Sequence, residues 1–472
     1  MHIWLDADSG TDQSVFQTVA MMMQKGRMPY RDTFDHKGPL IYLINYLGRM
    51  VNVRHGIWLF EFAAIFVTFF AIYQIARLHC DRFFSLILVL SSAALLFDYF
   101  KQGNMTEEYA MPFIAVSLYI YLDYFLNRKI NRLRLVICGL SLGGVLMLRP
   151  NMIAVWIVFS IAVLIDCLRR HQPADIRNFL LFFLAGLCLM ILPFLTWLAA
   201  NQSLQPFIDQ YFHFNMLYSS AQGGVTAASR LGCLLFFLKP TVYFSQTLTI
   251  FAIIVCVCLY FKKDRFLYAA YLLYFFITLF FMCISGYSFN HYGMVLIPAI
   301  AFPIASVYDL WLTKRSHRLT AEIMLFLFLL GGVSLPDWFS TVKSIPETYR
   351  ERNEDHHSVL VRTVCDIVEE NTSPEETISV YGNWDIIYIM SNRAHATKYS
   401  FQSVGSVLSE ITDAYFSQLE QELPPVIVLQ AGRFDSRMES FLKKHHYTQI
   451  WEQETDDDSI SPAQIFRYDG DS

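Results

Sequence analysis

Residues 178–200 read NFLLFFLAGLCLMILPFLTWLAA, an apolar run without a charged residue. A helix needs about 20 apolar residues to cross a bilayer, so this run by itself predicts a transmembrane helix. Nine further runs of similar character lie at 57–77, 83–98, 109–126, 134–148, 151–168, 241–261, 266–284, 292–312 and 320–337. We therefore predict a polytopic α-helical membrane protein with about ten transmembrane helices.

The composition of the whole chain agrees with this prediction. Of 472 residues, 54% are hydrophobic and 16% are charged, whereas an ordinary soluble domain carries about 25% charged residues. Residues 1–340 contain 25 Lys+Arg and 18 Asp+Glu, and residues 341–472 contain 11 and 23. This composition excludes a purely soluble enzyme, a disordered protein and a nucleic-acid binder, and it predicts a lipid-adapted part followed by an acidic soluble part.

Three domains follow from this pattern. Residues 1–56 are predicted to be an external catalytic loop with two interfacial helices near 14–25 and 39–50. Residues 57–340 are the transmembrane domain, and residues 341–472 are a small external α/β domain. In the last part, short strands are expected at 377–380 and 426–429, a helix at 404–423, and late strands within QIWEQE (449–454) and IFRY (465–468).

The distribution of Lys and Arg predicts the orientation in the membrane. One alternating set of loops contains 15 of these residues and the opposite set contains four, so the first set is assigned to the cytoplasm. The segments 98–108, 149–151, 201–240, 285–291 and 341–472 are then external. Ten spans also make the N-terminus external, yet residues 1–56 contain no signal peptide, so we expect a further helix upstream of Met1.

The nine cysteines show neither a CxxC motif nor a Cys/His ligand spacing. Most of them lie within apolar runs. We interpret them as small buried apolar residues.

Polar and ionisable residues that could take part in catalysis or binding lie in the external segments. Carboxylates there can act as general bases or hold a divalent cation, and Lys, His and Arg can hold a phosphate. Together they suit a substrate with a lipid-anchored phosphate and a polar transferable group. The candidate residues are Asp12, Asp35, His36, Lys37, Glu107, Glu108, Arg149, His291 and Tyr292.

Four stretches resemble, in order, the elements of a known superfamily. They are DQSVF from residue 12 with KGRMPYRDTFDHKGPLIYLINYLG at 25–48, NMTEEYAMPF at 104–113, LRPN at 148–151, and FNHY at 289–292 with LIP at 296–298. They resemble the GT-C superfamily of membrane glycosyltransferases, which use polyprenyl-phosphate sugars. The likeness is strongest to bacterial members of glycosyltransferase family 39, which includes protein O-mannosyltransferases and aminoarabinose transferases. Such proteins carry one transmembrane helix before the acidic loop, in line with the upstream helix expected here.

The resemblance assigns roles to the first loop. Asp12 matches the acidic residue that acts as catalytic base or orients the acceptor; the structural alternative is a helix N-cap. Lys37 matches a lysine that contacts the donor phosphate, and the alternative is snorkelling at the membrane interface. Asp35 and His36 are expected to shape the same pocket or to bind a metal.

Each of the candidate residues in the later external segments also has a functional and a non-functional interpretation. Glu107 and Glu108 form a second acidic element that is either catalytic or a favourable charge at a helix N-terminus. Arg149 contacts either a substrate phosphate or only a lipid headgroup. His291 and Tyr292 contact phosphate or sugar, or are structural.

The resulting hypothesis is a glycosyltransferase of the bacterial inner membrane that works on the external face. Its partners are a polyprenyl-phosphate sugar donor, a glycan, lipid or protein acceptor, and membrane lipids, with no nucleic acid. No cofactor is indicated with certainty, and a divalent metal ion is the one candidate. The alternatives are a transporter or flippase for lipid-linked glycans, which would place paired charges at the membrane midplane, and a glycan polymerase on the same face.

Overall fold

The computed structural model describes residues 11–100, 103–217, 226–238, 244–262, 264–312, 342–347, 356–402, 409–454 and 462–470. The chain divides into two compact units, which are described separately. Unit 1 comprises Met1–Ile57, Trp197–Gly224 and Glu347–Ser472, and unit 2 comprises Trp58–Thr196 and Val225–Pro346. The three domains drawn from the sequence stay a prediction.

Helices dominate the described residues. In chain order they are α1 Thr11–Gln24, α2 Pro39–Val51, α3 Gly56–Arg77, α4 Arg82–Tyr99, α5 Thr106–Asn127, α6 Arg132–Leu146, α7 Ala154–Arg169, α8 Pro173–Ala200, α9 Leu204–Ile208, α10 Ala227–Leu238, α11 Phe244–Lys262, α12 Arg265–Met282, α13 Ile297–Leu312, α14 His356–Glu370, α15 Ile386–Ser391, α16 Ser409–Glu422 and α17 Ser436–Lys444. A π-helical turn, Asp209–Phe214, follows α9, and 3-10 turns occupy Pro150–Met152 and Asn290–Leu296.

Five of the described helices are long and apolar enough to cross a membrane. They are α3, α5, α8, α12 and the continuous stretch Asn290–Tyr308, which joins a 3-10 turn to α13. Nine of the ten predicted apolar runs coincide with described helices, and the run at 320–337 lies outside the described residues. The prediction of a polytopic helical membrane protein with a small C-terminal sheet domain is confirmed, whereas the number of spans stays a prediction.

Side-chain caps explain where several helices of unit 2 begin. The carboxylate of Asp81 accepts a hydrogen bond from the backbone N–H of Phe84 at the start of α4. Asn131 caps α6 and Asp264 caps α12 in the same way. Each cap satisfies N–H groups that the first helical turn leaves without a partner.

The segment 201–240, which the sequence assigns to the external side, contains helices, and its side of the membrane stays a prediction. Among the described residues of that segment, α9, the π-helical turn and α10 are helical. The sequence did not predict these helices, because the first two are short and α10 has only 12 residues. A helix needs about 20 apolar residues to cross a bilayer.

Unit 1 contains a five-stranded mixed sheet. Its strands are β1 Thr377–Tyr381, β2 Ala394–His395, β3 Val426–Leu429, β4 Tyr447–Glu452 and β5 Gln464–Tyr468. The order is β2-β1-β3-β5-β4, with β2, β1 and β3 parallel and β5 antiparallel to both β3 and β4. The predicted strands are confirmed, and the predicted helix at 404–423 corresponds to α16, with 403–408 outside the described residues.

α1 departs from the predicted interfacial helix. Its Phe16, Val19 and Met22 are at most 2% exposed, and Met22 belongs to the core on one face of the sheet, together with Val361. Protein therefore covers the apolar side of α1, which leaves it unavailable to lipid. In contrast, α2 exposes Leu47, Met50 and Val51, as an amphipathic surface helix does.

Candidate active site

The segment between α1 and α2 forms a tight turn. Gly26 has a φ of +81°, a conformation that glycine adopts without strain, so the chain can reverse directly after α1. Farther along, the carboxylate of Asp32 accepts hydrogen bonds from the Met28 N–H at 2.7 Å and from Arg31 at 2.8 Å. These bonds close the turn and present residues 33–37 in one conformation.

Other parts of unit 1 hold this turn in place. Gln210 donates from Nε2 to the Tyr30 carbonyl at 2.7 Å and accepts from the Asp35 N–H at 3.3 Å. Asn215 donates to the His36 carbonyl at 2.8 Å. The Phe34 N–H donates to the carbonyl of Lys398 at 2.9 Å. The first loop is therefore fixed both by the π-helical turn after α9 and by the segment that follows β2.

Tyr30, Asp35, His36, Lys37 and Tyr42 form one hydrogen-bonded group, which we name the Asp35 cluster. Asp35 accepts from the Tyr42 hydroxyl at 2.8 Å and from the His36 N–H at 2.6 Å. Tyr30 donates from its hydroxyl to the Lys37 carbonyl at 2.7 Å, and Lys37 Nζ lies 3.2 Å from His36 Nε2. Both oxygens of Asp35 are thus occupied by groups that shape the loop.

The charge state of Asp35 is set by its surroundings. Its side chain is only 3% exposed, and burial raises its pKa from 3.8 to about 6, against the opposing effects of Lys37 and the Tyr42 hydroxyl. Asp385, at the start of α15 and fully buried, lies within electrostatic range. Burial raises the pKa of Asp385 to about 7; Ser400 lowers it and the charge of Asp35 raises it. The sequence reasoning missed Asp385, since a single aspartate after a strand carries no recognisable signal.

Asp12 lies near this cluster, in the first turn of α1 and half-buried. Its negative charge raises the pKa of Asp35, which shows that the two carboxylates interact. Because the helix already includes Thr11, Asp12 is not the N-cap considered from the sequence. The structural alternative for Asp12 is a favourable charge in the first helical turn.

Unit 2 contains a second polar group, formed by Glu107, Arg149 and Tyr292, which we name the Arg149 group. Arg149 makes a salt bridge with Glu107 and donates from Nη2 to the Tyr292 hydroxyl at 2.9 Å. Its guanidinium also lies 4.4 Å from the centre of the Tyr292 ring. His291 is buried and its ring contacts that of Tyr292. The structure thus joins four of the residues that the sequence singled out.

Glu107 and Glu108 have different surroundings, which the sequence could not distinguish. Glu108 is fully buried and accepts from the Met105 N–H at the start of α5, which satisfies one N–H group of the first helical turn. Glu61, on α3, is only 5% exposed and accepts from the Asn104 N–H at 2.5 Å. Glu107 alone of the two adjacent glutamates faces a cationic partner.

A small cavity adjoins the Arg149 group. Its lining includes Glu107, Asn151, Tyr274 and Tyr292, and its volume is about 20 Å³. Asn151 Oδ1 and the Tyr274 hydroxyl are buried and lack a hydrogen-bond partner within the described part of the chain. A cavity of this volume, with these polar atoms in its otherwise mostly apolar lining, accommodates one water molecule and is too small for a sugar.

The described residues contain no group of three or more His, Cys, Asp or Glu side chains arranged to hold a metal ion. The divalent metal considered from the sequence therefore stays a prediction.

The family model described as "Putative competence-induced protein Ccs4 N-terminal domain" matches residues 1–334. The chain belongs to this Ccs4 family. No curated protein matches it. The matched residues include all of the candidate site residues predicted from the sequence.

Solved structures share the fold of this Ccs4-family protein. ArnT from Cupriavidus metallidurans bound to undecaprenyl phosphate has a TM-score of 0.62 at 11% identity, over 98% of this chain and 95% of that chain. The same protein in the apo state has a TM-score of 0.57 at 11% identity, with the same coverage. An oligosaccharyltransferase from Archaeoglobus fulgidus in complex with zinc and sulfate has a TM-score of 0.51 at 14% identity, over 90% of this chain and 65% of that chain. The predicted GT-C resemblance is confirmed at the level of the fold.

In this Ccs4-family protein, the predicted site residues fall into two separately described groups. The first contains Asp12 and the 35–37 segment of unit 1, and the second contains Glu107, Arg149, His291 and Tyr292 of unit 2. Glu108 is the exception, because it is buried and accepts from the Met105 N–H. Tyr30, Tyr42 and Gln210 were missed, because their partners are identified only by the folded loop. Their roles in chemistry, like those of the predicted residues, are proposals.

Proposed function

We propose that this Ccs4-family protein is a membrane glycosyltransferase that moves a sugar from a polyprenyl-phosphate donor to an acceptor on the external face of the cell membrane. The observation that carries the proposal is the Asp35 cluster, with Lys37 directly before α2, in a chain of GT-C fold. ArnT, which shares that fold over nearly the whole chain, was solved with undecaprenyl phosphate bound. The C-terminal sheet domain is assigned to the same external face as the first loop.

Lys37 is the proposed contact for the donor phosphate. It is half-buried and directly precedes Gly38, the N-cap of α2, and Pro39 occupies the first turn. Backbone N–H groups and the positive end of the helix dipole favour an anion there, and a lysine adds a full positive charge. Tyr30 fixes the backbone at Lys37 through its hydrogen bond to the carbonyl, so the site is ordered before the donor binds.

The two carboxylates of the first loop are assigned different roles. Asp35 is a positioning residue, since its two oxygens are taken by Tyr42 and the His36 N–H and its side chain is buried. Asp12 is half-buried and lies at the start of a helix, so it is better able to meet an acceptor. We therefore assign the base or acceptor-orienting role to Asp12.

The proposed reaction is a direct displacement. The acceptor hydroxyl attacks the anomeric carbon, its proton passes to Asp12, and the bond between that carbon and the phosphate oxygen breaks. The polyprenyl phosphate leaves with the bonding electrons, and Lys37 stabilises its negative charge. The sugar is transferred in a single displacement, which inverts the anomeric configuration.

We assign the Arg149 group a positioning role and no direct part in the chemistry. Glu107 neutralises much of the charge of Arg149, so a phosphate at that guanidinium would have to compete with an existing salt bridge. Arg149 and Glu107 are therefore proposed as positioning residues that hold Tyr292, and phosphate contact by Arg149 is the weaker alternative.

The decisive experiment is a transfer assay with the purified chain in lipid vesicles. Polyprenyl phosphates that carry labelled sugars are the donors, and an envelope extract supplies acceptors. We expect covalent transfer of label, and we expect Asp12→Asn to lower the rate by about 10²- to 10⁴-fold at normal protein levels. Asp366→Asn, at an exposed position of α14, is the matched control.

Two outcomes would contradict the proposal in different ways. If label crosses the vesicle membrane without becoming attached to an acceptor, the chain is a flippase. If transfer occurs and Asp12→Asn keeps near-full activity, the enzyme assignment holds and the role of Asp12 is wrong.

A further inference from the structure

The connection between α5 and α6 carries basic side chains that the proposed transfer does not use. It reads RKINRLR at 128–134. Lys129 and Arg132 are exposed, and among the residues that the structure describes neither meets a carboxylate. Arg128 and Arg134, in contrast, form salt bridges with aspartates. The described protein thus leaves two positive charges at this place without a counter-charge.

Arg132 has a defined position although it lacks a carboxylate partner. Its guanidinium lies 5.3 Å from the centre of the Phe182 ring on α8. Such a cation–π contact holds the charge in place, but an aromatic ring has no oxygen to accept from the five N–H groups of an arginine. Planar N–H donors of this kind suit a phosphate, which can accept two of them at once.

Lys129 lies along the same side of α8 as Arg132. It lines a small hollow that also includes Arg134 and Phe179. Phe179 and Phe182 are three residues apart on α8, and side chains at that spacing lie on one helix face. The hollow has a volume of about 20 Å³, so it admits no more than a water-sized group. A larger anion would rest at its mouth, within reach of the two basic side chains.

Close packing of α6 against α8 fixes these positions before a ligand binds. A Cβ atom added to Gly139 would lie 1.9 Å from the Phe183 carbonyl oxygen, and one added to Gly186 would lie 2.0 Å from the Val136 carbonyl oxygen. Only glycine allows the two backbones to approach so closely. Because the helices are held at this distance, the basic residues at the start of α6 keep a fixed relation to the rings of α8.

Exposed apolar side chains accompany the basic pair on both helices. Leu133 of α6 is 68% exposed, and Leu181 and Leu184 of α8 are 60% and 51% exposed. α8 is long and apolar enough to cross a membrane, so these leucines contact lipid acyl chains. Arginine and lysine at the end of such a helix extend towards the lipid headgroups. The surface thus combines an apolar part for acyl chains with a positively charged part at headgroup level.

We propose that Lys129 and Arg132 bind the phosphate of an anionic phospholipid at the boundary between α6 and α8. The phosphate oxygens accept hydrogen bonds from the Arg132 guanidinium and the Lys129 ammonium, and the acyl chains lie against Leu133, Leu181 and Leu184. Phosphatidylglycerol carries one net negative charge, which offsets charge that the described protein leaves unpaired. Phosphatidylcholine has the same phosphate but also a quaternary amine, which the two cations repel. The binding itself does not depend on the proposed glycosyl transfer.

Native mass spectrometry of the detergent-solubilised chain tests this selection. The chain is titrated with phosphatidylglycerol, or with phosphatidylcholine that has the same acyl chains. We expect wild type to bind phosphatidylglycerol more tightly, and Lys129→Gln/Arg132→Gln to weaken that binding by about 30-fold, the effect of losing two cations near a membrane surface. The matched control is Arg82→Gln/Arg265→Gln, which removes two exposed cations at the starts of α4 and α12 and should leave the binding unchanged.

Equal affinity of wild type for the two lipids would overturn the proposal, and so would an equal loss of phosphatidylglycerol binding in both double variants. If the Lys129/Arg132 variant is poorly produced, the unmodified chain in membranes is exposed to a phosphatidylglycerol with a photoreactive group next to its headgroup. Crosslinked peptides from 129–134 or 178–184 support the site, whereas crosslinks confined to other segments overturn it. Neither readout involves sugar transfer, so failure here is distinguishable from failure of the proposed function.

Discussion

Asp35→Asn removes the buried carboxylate of the Asp35 cluster and keeps the size of the side chain. Burial raises the pKa of Asp35 to about 6 in the folded chain, compared with an ordinary value of 3.8. Between these two values the folded chain keeps a proton that the unfolded chain has released. The stability that Asp35 contributes is therefore present below pH 3.8 and is lost as the pH rises through 6.

The size of this effect follows from the two pKa values. Each unit of pKa difference corresponds to about 1.4 kcal/mol, and integration from pH 5 to pH 7.5 gives a loss of about 1.4 kcal/mol for the wild-type chain. Asparagine does not titrate, so the variant escapes this loss. It can accept only one of the two hydrogen bonds made by Tyr42 and the His36 N–H, which lowers its stability by about 1–3 kcal/mol at every pH.

Urea unfolding of the detergent-solubilised chain at pH 5, 6 and 7.5 measures both the pH-dependent loss of stability in wild type and the constant loss in the variant. The stability of Asp35→Asn relative to wild type should rise by about 1.4 kcal/mol across this range, on top of a constant offset. Asp366→Asn controls for the loss of one carboxylate at an exposed position of α14. If the difference between wild type and Asp35→Asn is the same at all three pH values, Asp35 does not hold a proton in the folded chain and the assigned environment is wrong.

Further predictions concern the phosphate contact, a constrained glycine and the Arg149 group. Lys37→Ala should lower the rate of sugar transfer by about 10²- to 10³-fold, as the loss of a group that stabilises developing negative charge does. Lys37→Arg should recover part of that rate. Equal activity of the alanine variant and wild type would contradict the proposed phosphate contact. Gly103→Ala should lower the thermal midpoint of unfolding in detergent, because Gly103 has a φ of +86° and an added Cβ would collide with the Glu61 carboxyl. The backbone strain alone costs about 1–2 kcal/mol. An unchanged midpoint would refute this prediction. Tyr292→Phe keeps the ring over Arg149 and removes the hydroxyl acceptor, which should destabilise the chain by about 1.5–3 kcal/mol in the same thermal assay, and a neutral effect would show that the bond contributes nothing.

Much of the architecture was predictable from the sequence. The apolar runs coincide with helices such as α3, α5 and α8, since run length and composition are local properties. The strands at 377–380 and 426–429 were recognisable as short buried runs of β-branched residues. Asp35, His36 and Lys37 could be proposed as one site because they are adjacent in the chain.

Other features could not be read from the chain. Glu107 and Glu108 are neighbours with the same side chain, and only the fold turns one towards Arg149 and the other back to the Met105 N–H. α1 has the pattern of an interfacial helix, yet the sheet domain covers its apolar side. An amphipathic pattern indicates that a face will be buried but does not specify whether protein or lipid buries it.

The sequence by itself determined that this Ccs4-family protein enters a membrane and carries a small sheet domain, because hydrophobic burial accumulates residue by residue along each segment. Tertiary structure decided which polar groups meet. Tyr292 reaches Arg149, and Gln210 reaches the Tyr30 carbonyl, only after segments distant in sequence have packed together. The electrostatics of these groups depend on burial and on partner distance, and both quantities exist only in the folded chain.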